Sequence, residues 1–134
     1  MRPELFSKGE GIPILKSWWK THTGYDFKPQ MAAQHGIIVR DSTGLPLCLC
    51  FLYFPSNSRL CQLAFLVRNP QISPIRAGRA IKLLVAFSVH ACKKLGYDML
   101  YTASSNKTVR RAFKDSGFEE SYDEGASVEY SKEL

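Results

Sequence analysis

Two arginines and a glycine lie close together in the stretch SPIRAGRAIKLL. Arg76, Gly78 and Arg79 fall where an amphipathic helix is predicted to begin. The first turn of a helix has unpaired N–H groups and a partial positive charge, so it attracts anions. Glycine lets a ligand approach the backbone, the small Ala77 and Ala80 leave room, and arginine pairs with phosphate oxygens. The spacing therefore predicts a phosphate-binding site.

The distribution of charge agrees with a site for an anion. Residues 1–118 contain 17 Lys and Arg and six Asp and Glu, a surplus of +11, whereas residues 119–134 contain six acidic residues and one lysine. No acidic residue lies between Asp41 and Asp98. A field of this sign attracts polyanions such as a nucleic acid or a phosphorylated cofactor.

Length and composition are typical of one compact domain, residues 1–134. The longest apolar run, about 47–54, is far too short to span a membrane, and the N-terminus has no secretory signal, so we expect a cytoplasmic protein with no membrane partner. The four cysteines lack the C-x-x-C spacing and the three histidines are scattered. We therefore expect reduced, mostly buried thiols and no metal site.

Hydrophobic periodicity predicts a mixed α/β sheet that carries this site. The predicted strands are 36–40, 46–54, 60–67, 98–103 and 126–131, and the predicted helices are 14–22, 79–95 and 107–115. Residues 23–35 are predicted to be loop with some helix and residues 119–124 a solvated turn. Trp18 and Trp19 are predicted to cover the sheet, and the alternative for them is to line a substrate pocket. Antiparallel strands come first and strands alternating with helices follow, so we expect one strand–loop–helix–strand crossover.

Several short motifs resemble, in order and spacing, those of the GNAT superfamily of acyl-CoA-dependent N-acyltransferases. The segment IRAGRA fits the pyrophosphate-loop pattern Q/R-x-x-G-x-G/A except at its first residue, Ile75. KKLGY at 93–97 matches a second motif. A third is matched at Asn106, Val109, Ala112, Phe113, Gly117 and Phe118. The resemblance covers roughly residues 36–134.

The resemblance implies a fold and a way of holding a cofactor. A mostly antiparallel sheet of about six strands, flanked by helices, would have a splayed central strand pair that receives the pantetheine arm of acetyl-CoA. The arm would pair with the backbone of Leu66, Val67 and Arg68, where an N–H would polarise the thioester carbonyl. The diphosphate would lie on the amides of Arg76, Ala77, Gly78, Arg79 and Ala80. Asn106 would help to hold the second wall, and Phe113 is included among the cofactor-binding positions.

Two positions depart from the family pattern. The family often has a tyrosine that protonates the departing thiolate, and here that position is Phe113, which has no proton to donate. Tyr101, on the facing strand, is the candidate catalytic residue in its place. The strand 60–67 contains no acidic residue to act as a general base. His35 or solvent would therefore have to deprotonate the amine.

The leading hypothesis is an acetyltransferase that moves an acetyl group from acetyl-CoA to an amine of a small molecule or a protein, working as a monomer or homodimer. The alternative is a catalytically silent domain of the same fold that binds a protein or nucleic acid through its basic face. A third hypothesis is an acyltransferase that modifies DNA or RNA. The sequence indicates neither the acceptor nor the oligomeric state.

Overall fold

One seven-stranded sheet runs through the computed structural model, which describes residues 1–104, 106–123 and 127–134. The strands are β1 (Arg2–Ser7), β2 (His35–Arg40), β3 (Pro46–Tyr53), β4 (Leu60–Arg68), β5 (Met99–Ser104), β6 (Glu119–Asp123) and β7 (Val128–Glu133). The helices are α1 (Lys8–Thr23), α2 (Pro74–Lys94) and α3 (Lys107–Asp115), with a 3-10 turn at Pro29–Met31. The predicted mixed α/β fold is confirmed.

The strand order in the sheet is β1-β2-β3-β4-β5-β7-β6. β4 and β5 are parallel because α2 joins them as a crossover, and the other neighbouring strands are antiparallel. α1 packs on one face of the sheet with Ile38, Leu49 and Phe51. α2 packs on the other face with residues such as Ile37 and Cys50. The centre of the sheet is therefore covered by a helix on each face.

β4 and β5 separate soon after they meet. Residues 60–62 of β4 pair with residues 99–101 of β5, and the two strands then diverge. At the branching point the hydroxyl of Thr102 donates a hydrogen bond to the carbonyl oxygen of Leu63 at 3.0 Å. The predicted splayed central strand pair is confirmed.

The start of α2 differs from the prediction. The helix begins at Pro74 instead of residue 79. Ser73 caps it, because its hydroxyl accepts a hydrogen bond from the N–H of Arg76 at 3.2 Å, and proline suits the first position of a helix. Residues 74–78 are therefore helical as well, and the prediction that the chain is still a loop before residue 79 is wrong.

Other boundaries also differ. α1 begins at Lys8 and contains Pro13, which the prediction placed before the helix. The prediction of a solvated turn at 119–124 is wrong for 119–123, since these residues pair with β7 as β6, and Glu124 lies outside the described residues. Periodicity does not predict β1 either, because Phe6 is its one buried residue. The last strand, predicted at 126–131, is Val128–Glu133; residue 126 lies outside the described residues.

The four cysteines are free thiols and are all buried. Across the described residues, no group of three or more His, Cys, Asp or Glu side chains is placed to hold a metal ion. None of the helices in the described ranges has the length and apolar content needed to cross a bilayer.

Candidate functional site

A cavity of about 630 Å³ opens where β4 and β5 diverge. Its walls belong to both faces of the sheet. On one face lie Trp19, His22 and Thr23 from the end of α1, and on the other lie Ala77, Ile81, Val109 and Phe113 from α2 and α3. The cavity therefore passes through the sheet at the fork, and its volume suits a ligand of several hundred daltons.

β4 has a bulge on the wall of this cavity. On β3, Leu49 and Phe51 are two residues apart, but their partners on β4, Val67 and Ala64, are three apart. β4 therefore has one extra residue here, and Phe65 adopts a left-handed φ of 56°. A bulge takes residues out of the ladder and re-aims their backbone groups. Backbone groups of β4 between Ala64 and Val67 are thus released from β3 beside the cavity.

Aromatic packing stabilises the bulge. The Phe65 ring meets Trp19 and Phe27 edge-on, with centroids 5.6 and 5.1 Å apart, which offsets the cost of a left-handed bulky residue. The prediction that both tryptophans cover the sheet holds for Trp18, which is buried against the core. It is incomplete for Trp19, which also lines the cavity.

The N-terminus of α2 reaches the cavity at Pro74 and Ala77. The N–H of Ala77 already bonds to the carbonyl oxygen of Ser73 at 2.9 Å, and the next amides bond within the helix. The first turn of the helix and its partial positive charge therefore lie at residues 73–76, one turn before the predicted position. The N–H of Arg76 is already capped by the Ser73 hydroxyl, and Pro74 has no N–H.

Arg76 is held by the turn between β2 and β3. Its guanidinium donates to the Asp41 carboxylate. That carboxylate also accepts hydrogen bonds from the Thr43 hydroxyl at 2.6 Å and from the N–H groups of Thr43 and Leu45. The Thr43 hydroxyl is the main cause that lowers the pKa of Asp41 from 3.8 to about 2, and Arg76 contributes. The charge of Arg76 is therefore balanced within the protein.

The other residues of the predicted pyrophosphate loop lie in different environments. Arg79 is exposed and Ala80 is fully buried in the core, so neither is among the described residues that line the cavity. Gly78 faces α3, where an added Cβ would meet Thr108 Cγ2 at 3.9 Å and nothing closer. These residues lie in different environments because α2 begins at Pro74, so residues 76–80 fall on different faces of the helix.

The N-terminus of α3 forms the facing wall. Asn106 caps it, because its side-chain oxygen accepts hydrogen bonds from the N–H groups of Thr108 at 2.9 Å and Val109 at 3.2 Å. All three residues line the cavity. The N-termini of α2 and α3, each with a partial positive charge, therefore lie at one opening. Leu66, Val67 and Arg68 of β4, whose backbone the resemblance implies would pair with the pantetheine arm, also line it.

The structure brings Phe113 to the cavity but not Tyr101. Phe113 lines the cavity with its ring 5.6 Å from that of Tyr130. Tyr101 lies before the fork, paired with Gln62, and its hydroxyl donates to the Glu129 carboxylate. It is not among the described lining residues, so its predicted role as a proton donor finds no geometric support.

His22 is a cavity residue that sequence patterns do not single out. It lies in the last turn of α1, which ends at Gly24 with a left-handed φ of 77°. Its Nε2 is 2.9 Å from the carbonyl oxygen of Arg68. The available signal is its position three residues after Trp19, which places both side chains on one face of the helix. His35, the predicted alternative base, is exposed at the start of β2 and is not a described lining residue.

Comparison with known proteins relates the chain to solved structures. No protein-family model and no curated protein sequence matches it. IAA acetyltransferase from Bacillus cereus superposes with a TM-score of 0.70 at 15% identity, over 99% of each chain. The ribosomal-protein-S18-alanine N-acetyltransferase from Escherichia coli has a TM-score of 0.72 at 10% identity, covering 99% of this chain and 94% of that one. N-acetylglutamate synthase from Neisseria gonorrhoeae, complexed with coenzyme A and N-acetyl-glutamate, has a TM-score of 0.70 at 16% identity, covering 100% of this chain and 35% of that one.

Proposed function

Because the chain has the fold of the GNAT N-acyltransferases, we propose that it transfers an acetyl group from acetyl-CoA to an amine of a small molecule or protein. The observation that carries the proposal is the cavity through the forked sheet. A thioester entering from one face can meet an amine entering from the other. Residues 1–134 act as one domain, and the buried free thiols suit the reducing cytoplasm.

The residues at the cavity fit a nucleotide thioester. The bulge gives the pantetheine arm backbone groups to pair with, between Ala64 and Arg68. The diphosphate lies between the two helix N-termini, at residues 73–76 of α2 and 106–108 of α3, because each helix end has a partial positive charge. The N–H groups of Arg76 and Thr108 already bond to the capping side chains of Ser73 and Asn106, so the attraction comes from this charge and not from free amides of those two residues. The small side chain of Ala77 keeps this wall open. An N–H of β4 stabilises the negative charge that develops on the thioester oxygen.

Isothermal titration with acetyl-CoA, followed by measurement of thiol release with a panel of primary amines, tests the proposal. We expect binding, and release of free thiol with at least one amine. Lack of binding would contradict the proposal. Binding without thiol release from any amine would instead favour a silent domain of the same fold.

Gly78 provides a matched pair of variants for this titration. Gly78→Glu places a carboxylate between α2 and α3 near Thr108, where space for a side chain exists. We expect it to weaken acetyl-CoA binding by about 100-fold or more, because the carboxylate repels the diphosphate at close range. Gly78→Gln has the same size without the charge and should weaken binding far less. An equal loss in both variants would contradict the placement of the diphosphate.

A further inference from the structure

Among the described residues that line the cavity, one side chain can accept a proton from an amine. In the described part of the chain its lining contains two ionisable side chains, His22 and Arg68, and no carboxylate. Arginine keeps its proton in proteins. An acceptor amine must lose a proton to form an amide, and imidazole is the commonest general base.

We propose that His22 is the general base, taking the proton of the acceptor ammonium at its Nδ1; the inference rests on the proposed acetyl transfer. Nε2 lies 2.9 Å from the carbonyl oxygen of Arg68. A carbonyl oxygen can only accept a hydrogen bond, so Nε2 carries the hydrogen. The neutral ring then has its lone pair on Nδ1, which is the tautomer that a base at this position needs.

The end of α1 holds the imidazole in place. The N–H of Gly24 bonds to the carbonyl oxygen of Lys20 at 2.9 Å and ends the helix directly after Thr23. Trp19, one turn before His22, packs edge-on against Phe65 of the β4 bulge. The bulge and the histidine are therefore fixed relative to one another, beside the backbone proposed to contact the thioester.

The reaction balances without another reactant. The ammonium gives one proton to Nδ1 of His22, and the resulting amine attacks the thioester carbon. The new carbon–nitrogen bond forms and the carbon–sulfur bond breaks. The second proton of the nitrogen goes to the departing sulfur, which becomes a thiol. His22 is exposed and returns its proton to solvent.

The charged groups near His22 in the described part of the chain come from β4 and from the end of α1 itself. Arg68 of β4 shares its wall, and an ion pair of Lys20 with Asp26, at 3.4 Å, lies at the same end of α1. Among the described residues, α2 and α3 contribute no charged side chain to the lining. Across the fork, Glu129 of β7 is the cross-strand partner of the lining residue Ala103 and accepts from Tyr101. Glu129 is therefore the carboxylate to test as a rival base.

The pH dependence of turnover tests the assignment. We expect His22→Asn to lower kcat at neutral pH by about 100-fold, the usual contribution of a general base, with the KM for acetyl-CoA unchanged. The rise of kcat with pH that the imidazole produces should also disappear. His35→Asn is the matched histidine control and Glu129→Gln the carboxylate control, and both should keep the wild-type profile.

Nitrogen-15 NMR of the histidine rings in the unliganded protein supplies a readout besides activity. We expect the neutral His22 ring to carry its hydrogen on Nε2, and finding it on Nδ1 would overturn the assignment. A wild-type profile in His22→Asn, or loss of the rise in Glu129→Gln instead, would also overturn it while leaving the proposed function standing. A wild-type protein that neither binds nor turns over acetyl-CoA would overturn the proposed function itself.

Discussion

The two ends of β4 differ in their neighbours. Residues 60–62 pair with β5 in a regular parallel ladder, whereas residues 64–68 pair with β3 through a bulge and leave β5. We refer to these segments as the closed end and the open end. The cavity is lined by the open end and starts next to the last pair of the closed end.

The difference shows how one strand can provide both stability and a binding surface. Backbone N–H and C=O groups that lose a strand partner need another partner, which water or a ligand can supply. The closed end has no such need, and its side chain Cys61 is buried. We infer that the closed end contributes mainly to stability and that the open end, stabilised by aromatic packing, contributes mainly to binding.

Among the substitutions that test this comparison, we expect the largest effect from Phe65 at the open end. Phe65→Ala should lower the free energy of unfolding by about 3 kcal/mol, because it removes two edge-on ring contacts, with Trp19 and Phe27. Phe65→Gly should be more stable than Phe65→Ala by about 1 kcal/mol, since glycine adopts a positive φ without strain. Urea unfolding measures both. An alanine variant more stable than the glycine variant would contradict the left-handed bulge.

The sequence predicts the two ends of β4 unequally. Apolar residues predict a strand over 60–67, close to the observed Leu60–Arg68. The bulge has no sequence signal, because left-handed positions usually hold glycine and here hold a phenylalanine. The fork follows from the family resemblance and not from periodicity, which describes one strand at a time.

The sequence also predicts the two helix starts at the cavity unequally. The prediction for α3, 107–115, agrees with the structure because Asn106 is a strong cap and Gly117 follows the helix. For α2 the sequence contains a cap signal, Ser73–Pro74, but the prediction follows the apolar periodicity, which starts later in the chain. His22 lies on α1, far from β4 in the sequence. Its contact with the Arg68 carbonyl oxygen depends on how α1 packs on the sheet, which periodicity does not predict.

At the fork, where the closed end stops and Thr102 of β5 also lines the cavity, Thr102→Val should lower the free energy of unfolding by about 2 kcal/mol, because it leaves the buried Leu63 carbonyl oxygen without its hydrogen bond. Valine has nearly the same shape as threonine, so packing is conserved. Thr102→Ser, which keeps the hydroxyl, is the control and should lose less. Urea unfolding and acetyl-CoA titration together test the comparison. A loss of acetyl-CoA binding with no loss of stability would contradict the structural role of this hydrogen bond.

Facing the open end, Phe113→Tyr should raise kcat by about tenfold, because it adds a proton donor at the cavity wall, where phenylalanine has none. Thiol release with an accepted amine measures the rate. Phe113→Leu removes the ring without adding a hydroxyl and should give no increase. An unchanged rate in Phe113→Tyr would show that protonation of the departing sulfur does not limit turnover.

The smallest expected effect concerns Asp41, which ties α2 to the turn between β2 and β3 through Arg76. Because the pKa of Asp41 is about 2 in the folded protein, below the ordinary 3.8, its carboxylate stabilises the fold above about pH 4 and loses this effect as the pH falls toward 2. Asp41→Asn should therefore unfold at lower urea than wild type at neutral pH, and the difference should vanish over that acidic range. Thr43→Val removes the hydrogen bond that lowers this pKa most, so its stability should approach that of wild type over the same range. A constant difference between wild type and Asp41→Asn down to pH 2 would mean that the asparagine disturbs the turn by its shape and not by its missing charge.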